Sequence, residues 1–172
     1  MTRTSGRRLQ LVAIGYSDEL TAGAAVEELE RLEQDFMIRR DEIATVVRGE
    51  HGTFRIETHA VITGEQPSWT MLWLTLFATL FFAPVLRMPI GPELESIVRK
   101  VARAGLDPEF AERVREMVVP ETSALFVLVE KVTPDDVVSA LEDYGGTVLQ
   151  SEIPPQAELM LQETLSGRSL VA

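Results

Sequence analysis

Histidine is the side chain best suited to acid–base or metal chemistry near neutral pH, and this sequence contains only two. His51 lies in the turn Gly-Glu-His-Gly, and His59 lies further on within an alternating strand pattern. Cysteine is absent, and no other ligand follows at the spacing of a metal site. We therefore expect two surface histidines and no bound metal.

Carboxylates are abundant, and two pairs stand out, Asp107/Glu109 and Asp135/Asp136. Each pair adjoins a proline that suits the first turn of a helix, so helix capping explains both. The glycine pair at 145–146 has no phosphate-loop context, since neither GxGxxG nor GxxxxGK[ST] occurs. No serine has the setting of a nucleophile elbow. The sequence therefore predicts no catalytic residue and no cofactor, in a protein that is not an enzyme.

The charge distribution narrows the possible partners. A formal net charge of −11 argues against nucleic acid, because binding phosphates requires a basic surface. Residues 69–105 are the exception, with four basic and two acidic side chains. Arg87, Arg99 and Lys100 are candidate partners for anionic lipid headgroups or for an acidic protein patch, and a solvated helix face is the alternative. Because cysteine is absent, we expect a cytoplasmic protein, at the inner face of the membrane if it contacts lipid.

One apolar segment, WTMLWLTLFATLFFAP at residues 69–84, carries no charge. A membrane-spanning helix needs about 20 apolar residues, but Pro84 leaves only residues 69–83 as uninterrupted helix. A crossing would also place the strands before and after the segment on opposite sides of the bilayer. We therefore expect a helix that leaves the domain and returns on the same side.

The apolar helix has three possible environments: contact with a membrane, burial against copies of the chain, or the core of a monomer. Its aromatic side chains follow helical spacing, and Met71, Leu74 and Ala78 make the rest of the surface apolar as well. A helix that is apolar all round needs cover on all sides, which one small sheet cannot supply. The predicted membrane or self-association residues are Trp69, Trp73, Phe77, Phe81 and Phe82.

The surrounding elements are predicted in the order β-α-β-β, apolar block, α-α-β-α-β-α. Two strand–helix–strand units, 9–48 and 123–153, resemble each other in plan. This order predicts an α+β fold: a ferredoxin-like sheet built from two βαβ units, with helices packed on it and an apolar helix protruding between the halves. Residues 1–172 then form a single domain that contains a helical insertion at 66–92.

Several stretches resemble a bacterial and archaeal family, domain-of-unknown-function family 1269, whose members are commonly labelled membrane proteins. The resemblance rests on LVAIGY near the start, LFFAP at 80–84, GLDPEF at 105–110, ETSALFVLVE at 121–130 and the closing GGTVLQSEI. In that family the apolar block is usually rich in glycine and alanine, whereas the block here contains no glycine. The resemblance implies the same overall plan and no known reaction, cofactor or catalytic residue.

The leading functional hypothesis is a non-enzymatic protein that self-associates, or attaches to the membrane, through its central apolar helix. The alternative is a soluble oligomeric ligand-binding or regulatory module. In that alternative two βαβ units form a cleft, and the apolar helix serves as a lid or as the core of the oligomer.

Overall fold

One antiparallel sheet organises the part of the chain that the structure describes. The computed structural model describes residues 10–31, 42–58, 73, 76, 77, 79–81, 107–129 and 134–153. Five strands lie in these residues: β1 Gln10–Tyr16, β2 Ile43–Arg48, β3 Phe54–Thr58, β4 Thr122–Val129 and β5 Thr147–Glu152. Their spatial order is β3-β2-β4-β1-β5. With helices on both faces, the fold belongs to the predicted α+β class.

Strand β4 occupies the centre of the sheet, although it comes late in the sequence. It pairs antiparallel with both β1 and β2, so β1 and β2 run parallel to each other with β4 between them. β1 likewise separates β4 from β5. Residues 123–129 are all buried, because both faces of this central strand are covered. This double burial explains why the sequence shows a continuous apolar run there instead of an alternating one.

The predicted turn between β2 and β3 is a hairpin. The backbone N–H of Gly49 donates to the carbonyl of Thr53 at 2.8 Å, and Gly52 adopts a φ of +83°, which favours glycine. The Arg48 guanidinium donates to the carbonyl of Val118 at 3.0 Å and lies 4.9 Å from the centre of the Phe54 ring. A single arginine thus ties the hairpin to the loop that precedes β4.

Three α-helices have described bounds, α1 Thr21–Arg31, α2 Pro108–Met117 and α3 Pro134–Ala140, and a 3₁₀ helix follows at Glu142–Tyr144. α1 and α3 lie on one face of the sheet, where Leu29 and Val137 join a cluster with Val12, Ile14 and Val127. As predicted, Asp107 caps α2 and a proline follows it at the first helical position.

The start of α1 is fixed by two side chains. Asp18 accepts hydrogen bonds from the hydroxyl of Thr21 and from the backbone N–H groups of Leu20 and Thr21, and these bonds hold the pKa of its carboxyl below the usual value. From β4, the hydroxyl of Ser123 donates to the carbonyl of Asp18 at 2.7 Å and accepts from the N–H of Ala22 at 3.2 Å. A buried serine therefore anchors this helix to the sheet.

The opposite face of the sheet is covered by α2 and by the central apolar helix, of which residues 73, 76, 77 and 79–81 are described. The sequence predicts a helix that protrudes between two halves of the domain. The described residues instead pack on the sheet, so that prediction is wrong for them. The physical reason is that both faces of the sheet are apolar, and α1 and α3 can cover only one of them.

Candidate functional site

The aromatic stripe of the central helix lies in the core of its own chain. We use this name for Trp73, Leu76, Phe77, Leu80 and Phe81, each of which is at most 1% exposed. Their spacing of three and four residues places them on one side of a helix. That side meets the sheet, so these side chains belong to the same apolar cluster as the inward residues of β1, β2 and β4.

Ring contacts specify how the stripe meets the sheet. Phe77 stacks on Trp73 with ring centres 5.5 Å apart, and it meets Phe126 of β4 edge-on at 5.0 Å. Phe81 contacts Phe126 edge-on at 6.3 Å and Phe54 of β3 at 5.1 Å. These separations fall in the range in which aromatic pairs attract one another beyond simple burial. The stripe is therefore a well-packed part of the core.

The helix reaches α2 through its backbone. Residues 79–81 form a π-type turn, and the Arg115 guanidinium donates to the carbonyl of Leu80 at 3.2 Å. Arg115 thus fixes the position of the central helix relative to α2.

The predicted contact residues can now be placed. Trp73, Phe77 and Phe81 face the sheet, whereas Trp69 and Phe82 lie outside the described residues. So do the three predicted basic partners, Arg87, Arg99 and Lys100. A contact surface formed by Trp73, Phe77 and Phe81 stays a prediction, and it would require the helix to move away from the sheet. In the described part of the chain, no helix is both long enough and apolar enough to cross a membrane.

The candidate chemical residues behave as surface and capping groups where they are described. His51 is exposed, with Nε2 3.4 Å from a carboxylate oxygen of Glu50, while His59 lies outside the described residues. Asp107 accepts from the N–H of Glu109 at 3.0 Å, as a capping residue does. Asp135 and Asp136 lie in the first turn of α3. Among the described residues, no three His, Cys, Asp or Glu side chains are grouped so as to hold a metal ion.

Sequence reasoning missed a groove beside α2, which we call the α2 groove. Its volume is about 530 Å³. It lies between the C-terminal half of α2 and the ends of β1, β4 and β5, and the described residues that line it are Gly15, Tyr16, Ser17, Arg113, Glu116, Met117, Thr122, Thr147 and Leu149. No pattern in the sequence analysis indicated this groove, because its lining residues come from distant parts of the sequence.

The groove owes its shape to a glycine in β1. A Cβ atom at Gly15 would stand only 2.4 Å from the side chain of Met117. Because no Cβ is present, the methionine lies across β1 and forms an apolar wall of the groove. Any larger residue at position 15 would displace Met117 and change the shape of the groove.

A buried polar group lies at the end of the same strand. Tyr16 is 4% exposed, and its hydroxyl has no hydrogen-bond partner among the described residues. Burial, with a smaller contribution from Tyr144, raises the pKa of Tyr16 to about 12. Its side chain points to the α1 face, away from the apolar wall of the groove, so it belongs to the core.

Comparison with known proteins assigns a family. No curated protein and no solved structure matches the chain. Residues 68–166, more than half of the chain, match the sequence model of the family described as "Protein of unknown function (DUF1269)". The match runs from the central helix through α2, β4, α3 and β5. The chain therefore belongs to the DUF1269 family, as its apolar block and the ETSALFVLVE strand predict.

Proposed function

We propose that this chain is a non-enzymatic module that self-associates through its central apolar helix. The observation that carries the proposal is the aromatic stripe, whose side chains pack on the sheet along one side of that helix. The sequence makes the remaining circumference apolar too, with Leu74, Ala78 and Phe82 outside the spacing of the stripe. Since a helix that is apolar all round needs cover on all sides, a second copy would supply what the sheet does not.

Two observations favour a second copy over a bilayer. Trp73, whose indole would be expected to anchor in a headgroup layer, is already covered by the sheet. Charge supports the same choice, because residues 69–105 are net basic while residues 106–172 carry 13 acidic and four basic side chains. A copy of the chain therefore offers an acidic surface to Arg87, Arg99 and Lys100. Attachment to the inner face of the membrane is the other outcome of the test.

The fold proposed for this module is ferredoxin-like, with β3 as an added edge strand. The order β5-β1-β4-β2 supports it, because each strand–helix–strand unit has the first strand of the other unit between its own two strands. We also propose a cytoplasmic location, on the basis of the cysteine-free sequence.

The first experiment is to express the full chain without detergent, separate membrane from soluble fractions, and measure the mass of the soluble protein by light scattering. A discrete oligomer supports self-association. A soluble monomer at every concentration tested contradicts it. Recovery in the membrane fraction, released by detergent but not by salt or carbonate, would replace self-association with insertion into lipid.

Two neighbouring phenylalanines provide a matched pair of variants. Phe81 faces the sheet, and the sequence predicts that the helix continues through residue 83, so the residue after Phe81 is expected to turn by about 100° from it. We therefore expect Phe82→Ser to reduce the oligomer to monomer while the far-UV circular dichroism stays native. Phe81→Ser is expected to unfold the chain, because it places a hydroxyl in the core. If Phe82→Ser leaves the oligomer intact, this side of the helix is not the interface.

The second candidate function is a ligand-binding or regulatory module. The α2 groove favours it, since small-molecule sites commonly have volumes of about 300–1,000 Å³ and combine apolar walls with a few polar groups. Native mass spectrometry of the purified chain tests it, because a bound metabolite that survives purification would appear as an added mass.

A further inference from the structure

We infer that the α2 groove binds a free amino acid with an apolar side chain, held by its carboxylate and its ammonium group. The inference rests on the second candidate function and is independent of self-association. Four features of the lining carry it: two opposite charges and two hydroxyl groups, all without a partner among the described residues, an apolar wall, and the size of the groove.

The charges come from one turn of α2. Arg113 and Glu116 are three residues apart and both line the groove. At this spacing opposite charges commonly pair on a helix surface. Here neither side chain forms an ion pair or a hydrogen bond with any residue in the part of the chain that the structure describes. The groove therefore presents one positive and one negative group from the same turn of α2, which matches a zwitterion better than a simple anion or cation.

The guanidinium of Arg113 suits a carboxylate. Arginine presents several N–H donors in a planar fork, which matches the two oxygens of a carboxylate in a bidentate pair. Glu116 is acceptor-only when ionised, so it suits an ammonium group. An α-amino acid carries both groups on one carbon, close enough to meet two side chains on the same helical turn.

Hydroxyl groups extend the polar side of the groove. Ser17 and Thr147 line it, and within the described residues neither hydroxyl has a hydrogen-bond partner. Thr122 also lines the groove, but its hydroxyl donates to the carbonyl of Val119 at 2.6 Å. Two donors thus remain, within the described residues, for the lone pairs of the carboxylate oxygens that Arg113 does not use.

Another part of the lining is apolar. Met117 lies over Gly15, and Met117 and Leu149 of β5 both pack against the same core cluster. A branched or thioether side chain of a ligand would bury apolar surface against this wall, and methionine adapts well to ligands of varied shape. Because Arg113 and Glu116 are exposed, each ionic contact is weak, so a dissociation constant on the order of 1 mM is expected.

The test is calorimetric titration of the full chain with L-leucine, beside two analogues that each lack one charge, 4-methylpentanoate and 3-methylbutylamine. Leucine is expected to bind about fivefold more tightly than either analogue, because each analogue lacks one exposed ionic contact. Arg113→Gln and Glu116→Gln are each expected to weaken leucine binding by about threefold to fivefold. The matched control pair is Arg55→Gln and Glu57→Gln, an exposed ion pair of 3.2 Å on β3, outside the groove lining, and these variants should bind as the parent chain does.

Several results would overturn the inference. One is the absence of saturable binding up to about 20 mM leucine. Equal affinity for 4-methylpentanoate, or equal loss of affinity in the control variants, would also contradict it. If a variant fails to fold, methyl NMR of the parent chain decides, because leucine must shift the signals of Met117 and Leu149. A co-purified metabolite of another class, together with no leucine binding, would refute the amino-acid assignment and leave the second candidate function standing.

Discussion

Removing the ring of Phe77 is the most direct test of where the central helix packs. The side chain is fully buried, stacked on Trp73 and set edge-on against Phe126. Truncating such a residue to alanine costs about 3–5 kcal/mol, and its two aromatic contacts place Phe77→Ala in the middle of that range or above it. Domains of this size are stable by about 5–15 kcal/mol, so the variant should fold with much of its stability lost.

The assay is urea unfolding followed by circular dichroism. With a denaturant slope of roughly 2–3 kcal/mol per molar for a chain of this length, a loss of about 4 kcal/mol lowers the midpoint by about 1.5 M. Phe77→Leu should lose only about 1–2 kcal/mol, because it retains most of the buried apolar volume. The matched control is Leu20→Ala, since Leu20 is 82% exposed and its truncation should change the free energy by less than about 0.5 kcal/mol.

Protein concentration distinguishes the core from an interface. If the sheet of the same chain buries Phe77, the difference in midpoint between variant and parent does not depend on concentration. A difference that grows on dilution would place the ring between two copies, because association stabilises by mass action. A change below about 0.5 kcal/mol in Phe77→Ala would refute the burial argument outright.

Three further predictions concern the sheet and its loops. Ser123→Ala should destabilise the fold by about 1–3 kcal/mol in urea unfolding, because it breaks both hydrogen bonds to the start of α1 and leaves buried backbone groups unpaired. In the same measurement, Gly146→Ala should lower the free energy of unfolding more than Gly145→Ala does. Both glycines have positive φ, but only at Gly146 would a Cβ stand 2.9 Å from a backbone oxygen. Tyr16→Phe should leave stability at pH 7 unchanged or slightly higher, because it removes a buried hydroxyl without a partner. Burial raises the pKa of Tyr16 from 10.0 to about 12, so between these pH values the unfolded chain releases the tyrosine proton and the folded chain keeps it. The stability of the parent chain should therefore be constant below pH 10 and fall, relative to Tyr16→Phe, as the pH rises towards 12.

Local signals in the sequence accounted for several elements. The turn at residues 49–52 was predictable because glycines allow the backbone to reverse direction, and Gly52 does have a positive φ. The start of α2 was predictable because Asp107 and Pro108 satisfy the needs of a first helical turn. The run SALFVLV indicated a buried strand, because it lacks the alternating polar residues of a strand that has one face in water.

The candidate site was far less predictable. Periodicity identified the aromatic stripe, but it could not say whether lipid, a second copy or the chain's own sheet would cover it. The α2 groove left almost no trace, because its lining comes from one helix and three strands that are distant in sequence. The absence of a side chain at Gly15 matters only because Met117 lies across it.

By itself, the sequence determined the elements, their caps and turns, the family, and the presence of a helix that must be kept from water. These properties depend on neighbours within a few residues, through backbone conformation and hydrophobic periodicity. Only the tertiary structure decided that β4 lies between β1 and β2, that the aromatic stripe packs against Phe126, and that Arg113 and Glu116 line a groove with the end of β1. Those outcomes depend on which apolar faces meet, and that choice is made by contacts between residues far apart in the chain.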